Sequence, residues 1–298
     1  MKRPEAKNTY KLPTGEPIRR ALKTAFRSQR RQILASLTGK KAAGDLPDEL
    51  PEFRLGNLAM SERMAPLIEA YWDKAGTQLL SRVGVDPDAW DVRNPEVEAA
   101  IDKAALDFSA STNQTTSLAL DQALAKTRAE LTAGVFTKGE ALPTLTKRIN
   151  AIFDAAETWR ARRIAASEAS RALHAGQESA AIKSGVVLGW EWLLSEDACP
   201  LCQTVGRRAK FVRIGQPFAV VGDHPAYSQV KHPPLHPSCQ CSMREYVDQS
   251  DLPADLRDPE PAWAPTLVQP EPEEQDKPPK AEPKPKKPAK PKPVEPTR

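Results

Sequence analysis

The stretch SGVVLGWEWLLSEDACPLC, residues 184–202, is where this chain changes its period. On its amino-terminal side apolar residues recur every three to four positions, the spacing of helices that bury one face. From Gly185 onward VVLGWEWLL sets Trp190 and Trp192 on one side and Glu191 on the other, the alternation of a half-buried strand. The stretch ends in CPLC, Cys199 to Cys202. HPSCQC comes next at 236–241, with 33 residues between Cys202 and His236. These two fragments hold all 4 cysteines and one of the 4 histidines of the chain.

Upstream of the switch the pattern is helical from about 57 to 185. Leu67, Ile68, Tyr71, Trp72, Ala75 and Leu79 make one buried stripe. Asn94-Pro95-Glu96 is a start signal, because the Asn side chain accepts an orphan backbone N–H and Pro at the first position gives up no needed donor. Val97, Ile101, Ala105 and Phe108 continue from it. The same reading places Leu120, Leu124 and Leu131 on a further helix ending at Gly134, and Leu145, Ile149 and Phe153 on another opened by Pro143. The last helix, TWRARRIAASEASRALHAGQESAAIKSG, carries small residues at 161, 165, 169, 172, 176 and 180, which let a second helix come close. Glu168 and Arg171 on its polar side are spaced to pair, and His174 reads as a surface or packing residue. After Gly185, strands are expected over 186–194, over RRAKFVRI at 207–214 with Phe211, and over CSMREYV at 241–247.

The 298 residues are 40% hydrophobic, enough for at least one buried core. No run of about 18 apolar residues is present and the start, MKRPEAKNTYKLPTGEP, lacks the apolar stretch of a secretory signal, so a cytoplasmic product with no membrane partner is expected. The net charge of +4 hides an asymmetry. Residues 1–41 carry 12 Lys/Arg against Glu5 and Glu16, and residues 277–298 carry eight against Glu282 and Glu295, leaving the middle near −12. Within the first segment PIRRALKTAFRSQRRQILASLTG forms a basic amphipathic helix with Ile18, Leu22, Phe26, Ile33 and Leu37 on one stripe. At the other end, 14 of the 29 prolines lie between 253 and 298, where almost nothing apolar offsets the cost of ordering. The expected class is α+β, in four parts. These are a basic amino-terminal arm with an amphipathic helix (1–53), a helical body (54–185), a small β-rich zinc-binding module (186–250) and a disordered Pro/Lys-rich tail (251–298).

Cys199, Cys202, His236, Cys239 and Cys241 are five candidates for the four ligands of a closed, structural zinc site. A turn at CPLC aims two thiolates at one cation, and residues two apart in an extended CQC face the same side. The spacing leaves open which four bind, and whether His236 is a ligand or supports one. Disulfides do not suit a reducing compartment, a thioredoxin-type CxxC lacks its βαβ surroundings, and no His is followed two residues later by Glu as in zinc deaminases. His224 and His232 lie in the same Pro-rich loop and read as loop histidines in solvent. With no Gly-rich phosphate loop, no G-x-S-x-G and no carboxylate pair, nothing argues for an enzyme.

Taken in order, R-x-x-x-S-E-x-x-R (Arg163, Ser167, Glu168, Arg171), AGQESAAIKSG, GWEW, D-x-C-P-x-C and P-P-L-H-P-S-C-Q-C resemble the phage head-morphogenesis proteins of the Mu F-like minor capsid family. The likeness covers residues 57–248 and is specific over 163–241. Family members typically show Thr-Glu and Asn-Cys-Arg-Cys where this chain has Ser167-Glu168 and Ser238-Cys239-Gln240-Cys241. The resemblance implies a minor capsid protein active in head morphogenesis near the portal, in prohead assembly and in DNA packaging or delivery. It implies portal, scaffold or major capsid partners, and residence in the virion after assembly in the host cytoplasm. The basic termini are candidates for contact with phage DNA. The alternative, from the residues themselves, is a zinc-containing nucleic-acid-binding protein.

Overall fold

The computed structural model describes residues 13–38, 46–50, 54–208, 212–218 and 230–247. All belong to a compact unit, Met1–Arg257; a second unit, Asp258–Arg298, lies outside the described residues, as do the whole of the expected tail, His224 and Phe211.

Five long helices make the body. Helix α1, Glu16–Thr38, buries Ile18, Leu22, Phe26, Ile33 and Leu37 as its stripe requires. Its basic side is partly neutralised: Arg27 Nε lies 2.7 Å from Glu157, and an Arg30 guanidinium nitrogen lies 2.7 Å from Asp154. Helix α2, Arg54–Arg82, turns Met60, Met64, Ile68, Trp72, Ala75 and Leu79 into the core, with Leu67 and Tyr71 half-buried beside them. Helix α3, Pro95–Thr132, starts as its sequence predicts, with Asn94 Oδ1 accepting from the Glu96 N–H at 3.1 Å.

Two boundaries differ from the sequence reading. Leu120 and Leu124 do not open a new helix; they extend α3, whose 38 residues run about 57 Å at 1.5 Å per residue. The polar stretch before them suggests a break, yet Ser109, Thr112, Asn113 and Thr116 are buried within it. Ser109 and Thr116 satisfy their hydroxyls by donating to the carbonyls four residues back, at 2.7 and 2.9 Å. Asn113 accepts from Gln29 of α1 at 2.7 Å and donates to Asn57 of α2 at 2.5 Å, a polar seam joining three helices. Helix α4, Lys138–Ala155, likewise begins before Pro143: a capping box sets its start, with the Thr137 N–H donating to Glu140 at 2.8 Å.

Helix α4 runs without a break through a π-turn, Ala156–Arg160, into α5, Ala161–Ser184, which ends at Gly185 with φ of 67°. The π-turn shifts the register of the outer face. Trp159 is left 56% exposed, while Arg160 reaches Thr116 Oγ1 at 3.0 Å and the Thr112 carbonyl at 3.2 Å on α3. The small-residue face of α5, with Ala161, Ala165, Ala169, Ala172, Gly176 and Ala180 all buried, lets helices close in as expected. A Cβ placed on Gly176 would stand 2.6 Å from Trp72 Cα and 2.7 Å from its carbonyl oxygen, so α2 rests on the bare backbone of α5.

Beyond Gly185 a three-stranded antiparallel sheet of order β2-β1-β3 forms from β1 (Val187–Leu193), β2 (Val212–Arg213) and β3 (Ser242–Val247). Trp190 lies opposite Glu245, and Trp192 opposite Met243. Both indoles are buried, and Phe218 meets Trp192 edge-on with ring centroids 5.0 Å apart. On the outer face Glu191 pairs with Arg244 across the strands. The middle strand of the chain order is shorter than expected because Arg207 and Arg208 close a helix, α6 (Pro200–Arg208), rather than open β2. One buried core runs from Ile18 to Met243 through helices and sheet. Among the described residues no helix is long and apolar enough to cross a membrane.

Replacing Gly176 with Ala should lower stability by about 1–3 kcal/mol, because the backbone of Trp72 cannot yield as a side chain would. A urea midpoint equal to that of the unaltered chain would show that the two helices are not in such contact.

Candidate metal centre

The five candidate ligands converge. Cys199 precedes α6, its carbonyl accepting from the Gln203 N–H at 2.9 Å. Pro200 opens that helix where a missing donor costs nothing, and Cys202 sits within the first turn, so two thiols three residues apart face one side. The other half comes from the loop before β3. A turn closed by the Cys239 N–H on the His236 carbonyl, at 3.0 Å, carries Ser238 at φ of 67°. Cys239 and Cys241 are buried on either side of exposed Gln240, the alternation expected of an extended CQC.

His236 Nε2 lies 3.1 Å from Cys199 Sγ and 3.2 Å from Cys202 Sγ, and the Cys202 and Cys239 sulfurs are 3.7 Å apart. Bonds of about 2.3 Å from a tetrahedral ion to sulfur give S···S edges of about 3.8 Å, so these separations suit a shared cation. The donors form two triads, Cys199/Cys202/His236 and Cys202/Cys239/Cys241. The ligand atoms within each lie within 4.8 Å of one another, and Cys202 is common to both. His236 Nδ1 donates to the Pro237 carbonyl at 2.9 Å, which leaves the Nε2 lone pair toward the sulfurs.

The electrostatics point the same way. Contacts with Cys239 and Cys241 push the Cys202 thiol up, while hydrogen bonds from Cys202 and Cys239 hold Cys241 down as the thiolate. Burial raises Cys199, but the backbone N–H groups of Cys202 and Leu201, with the Cys202 thiol and His236, outweigh it and lower the group. Sulfurs packed this closely in a buried pocket suit a cation, with thiolate ligands. The fit is to a metal ion held by Cys199, Cys202, His236, Cys239 and Cys241 or a subset of them.

Two further contacts tie this cluster to the body, and the sequence reading predicted neither, although Ser167 stands in one of its motifs. The Ser238 N–H donates to Ser167 Oγ at 3.1 Å, and Ser167 Oγ donates to the Arg163 carbonyl at 3.0 Å. The serine of S-E on α5 therefore holds the loop that delivers Cys239, while Glu168 pairs with Arg171 beside it. The second contact is a histidine pair. His174 is 1% exposed and stacks on His232, ring centroids 6.4 Å apart, with its Nδ1 donating to the Ser170 carbonyl at 2.8 Å. His232, expected in solvent, is half-buried there and is not part of either triad of ligands. Nothing in the local pattern announces this pair, since its members are 58 residues apart.

Comparison of the chain with protein-family models, with curated proteins and with solved structures finds no match in any of the three.

Ser238 occupies the left-handed region that Asn and Gly tolerate best. Ser238→Asn should hold or raise the thermal midpoint, whereas Ser238→Val should cost about 1–2 kcal/mol; equal stabilities would argue against that backbone geometry. Burial, then the neighbouring His232, lowers the pKa of His174 to about 3. The unfolded chain, with an ordinary His near 6.5, thus binds a proton that the folded chain refuses. Stability should fall as pH drops from 6.5, by about 1.4 kcal/mol per unit from this group. His174→Gln should flatten the dependence by that amount in denaturant titrations at pH 7.5 and 5.5, and parallel curves would refute the assignment.

Proposed function

We propose that this chain is a minor head protein of a tailed phage, acting in head morphogenesis near the portal, with a structural zinc ion in the module after α5. One observation supports this more than any other. The residues that carry the resemblance to the Mu F-like family, scattered from Arg163 to Cys241 in sequence, are neighbours in space: Ser167 of the S-E motif bonds the loop bearing His236, Cys239 and Cys241. A motif set read from sequence order alone had no need to be physically joined.

Zinc is the metal this donor set favours. Thiolates with one imidazole in tetrahedral array suit it, and three of the four cysteines are buried, so the site is closed as structural sites are. A closed site orders a small module and leaves no position for a reacting water, which supports an assembly role over hydrolysis. The helical body then supplies surfaces for portal, scaffold or capsid proteins, and the basic termini supply charge for contact with DNA.

Proheads and mature particles, sedimented from cells producing the phage that encodes the chain, should contain the protein at a few copies each by quantitative mass spectrometry. Metal analysis of the isolated protein should find about one zinc per chain, lost in a Cys199→Ser/Cys202→Ser variant that also yields no filled heads. Recovery only from the soluble fraction, with DNA binding that weakens steeply as salt rises, would instead favour a zinc-containing nucleic-acid-binding protein.

A further inference from the structure

The end of the π-turn and the first turn of α5 present two guanidinium groups that no carboxylate pairs with among the described residues. Arg160 and Arg163 stand one helical turn apart, near enough that the charge of Arg163 depresses the pKa of Arg160, after burial itself. Each is laid on an aromatic ring: Arg160 over Phe26 at 5.5 Å and Arg163 over Trp159 at 4.9 Å. Of the acids nearby, four are committed elsewhere, while Glu196 and Asp197 border only the cleft on the α1 side. Glu168 pairs with Arg171, Asp107 with Lys103, Glu157 with Arg27 and Arg30, and Asp154 with Arg30. Among the described residues neither Arg160 nor Arg163 forms an ion pair. Arg160 uses part of its fork on Thr116 and on the Thr112 carbonyl, which fixes its position at the wall of the site.

Both arginines line a cleft of about 600 Å³ between α2, α3 and α5, together with Ser111, Thr112 and Thr115, the ion-paired Asp107, Glu168 and Arg171, and Pro237 of the loop before β3. Arg163 also borders a second cleft, of about 1170 Å³, on the side of α1. Two like charges held together in a walled groove cost free energy unless an anion neutralises them, and ring-backed guanidinium forks suit tetrahedral oxygens. We propose that the groove between α3 and α5 binds a phosphate dianion, as inorganic phosphate or as the terminal group of a small phosphate monoester, with Arg160 and Arg163 as its cationic wall. Two positive charges match a dianion better than the single charge of a diester. The site is independent of the head-protein reading.

The test is calorimetric titration of the metal-loaded full chain with inorganic phosphate and, separately, with a nucleoside 5′-monophosphate, chloride holding the ionic strength constant. Saturable binding is expected, weakened at least tenfold in Arg163→Gln and retained in the control Arg93→Gln. Arg163 is exposed, so its replacement should leave the unfolding midpoint unchanged; Arg160→Lys, which keeps charge but loses the fork, should weaken binding as well. Binding of the inorganic ion alone would assign the site to free phosphate, and comparable binding of the monophosphate would assign it to esters. Absence of saturable binding to either, or equal affinity in Arg163→Gln, would overturn the proposal.

Discussion

The constraint that joins the segments after α5 is the convergence of four thiols and an imidazole in two triads that share Cys202. The sheet around it is small: β2 has 2 residues and β3 has 6, and a sheet of this size has little stability of its own. Between Cys202 and His236 run 33 residues whose ends must be brought together, at an entropic cost of about 3 kcal/mol by loop-closure scaling. Small structural zinc sites bind with about 10–16 kcal/mol of apparent free energy at neutral pH, so a zinc ion at this cluster, as proposed above, would outweigh that cost. Hydrophobic burial contributes too, through Trp190, Trp192, Phe218 and Met243, which belong to the same buried core as Cys202, Cys239 and Cys241.

Helix α5 is a main element through which that module and the body meet, and Arg82 of α2 adds an ion pair to Glu245 of β3. Its small-residue face takes the backbone of α2, and its polar side offers Ser167 to the metal loop. The π-turn before it explains how one continuous helix does both. An extra residue in the turn rotates the helix beyond it, so that Arg160 reaches α3 while Trp159 emerges at the surface. A regular helix through 156–160 would put those two side chains in a different register, and the seam between α3 and α5 would lose its anchor.

Most of the body was legible because its information is local. Ile18 to Leu37, Leu67 to Leu79 and Leu145 to Phe153 recur at helical spacing, and the small residues of α5 announce close packing before any partner is known. The candidate ligands were legible for a different reason: no other residues of the chain combine soft donors at such spacing. What sequence reading misplaced depends on tertiary context. The polar run Ser109 to Thr116 looks like a break, and only the seam to Gln29 and Asn57 makes its burial tolerable. Pro143 looks like a start, but the reciprocal bonds of Thr137 and Glu140 set the boundary five residues earlier. Pairing of His174 with His232, and the joining of Ser167 to Ser238, are long-range contacts with no periodic trace.

Charge is distributed by the same logic. The sequence places an excess of Lys and Arg at both ends of an acidic middle, and the structure answers part of it: the arginines of α1 are met by Glu157 and Asp154 near the π-turn, across more than a hundred residues of chain. Those acids are thereby withdrawn from their own neighbourhood. Once Glu157 and Asp154 serve α1, and Glu168 serves Arg171, Arg160 and Arg163 are left without an ion pair among the described residues, each lying over an aromatic ring, with Arg160 also bonded to Thr116 and the Thr112 carbonyl. Docking α1 on the body and leaving a positive groove on α5 are therefore two consequences of one arrangement of acids.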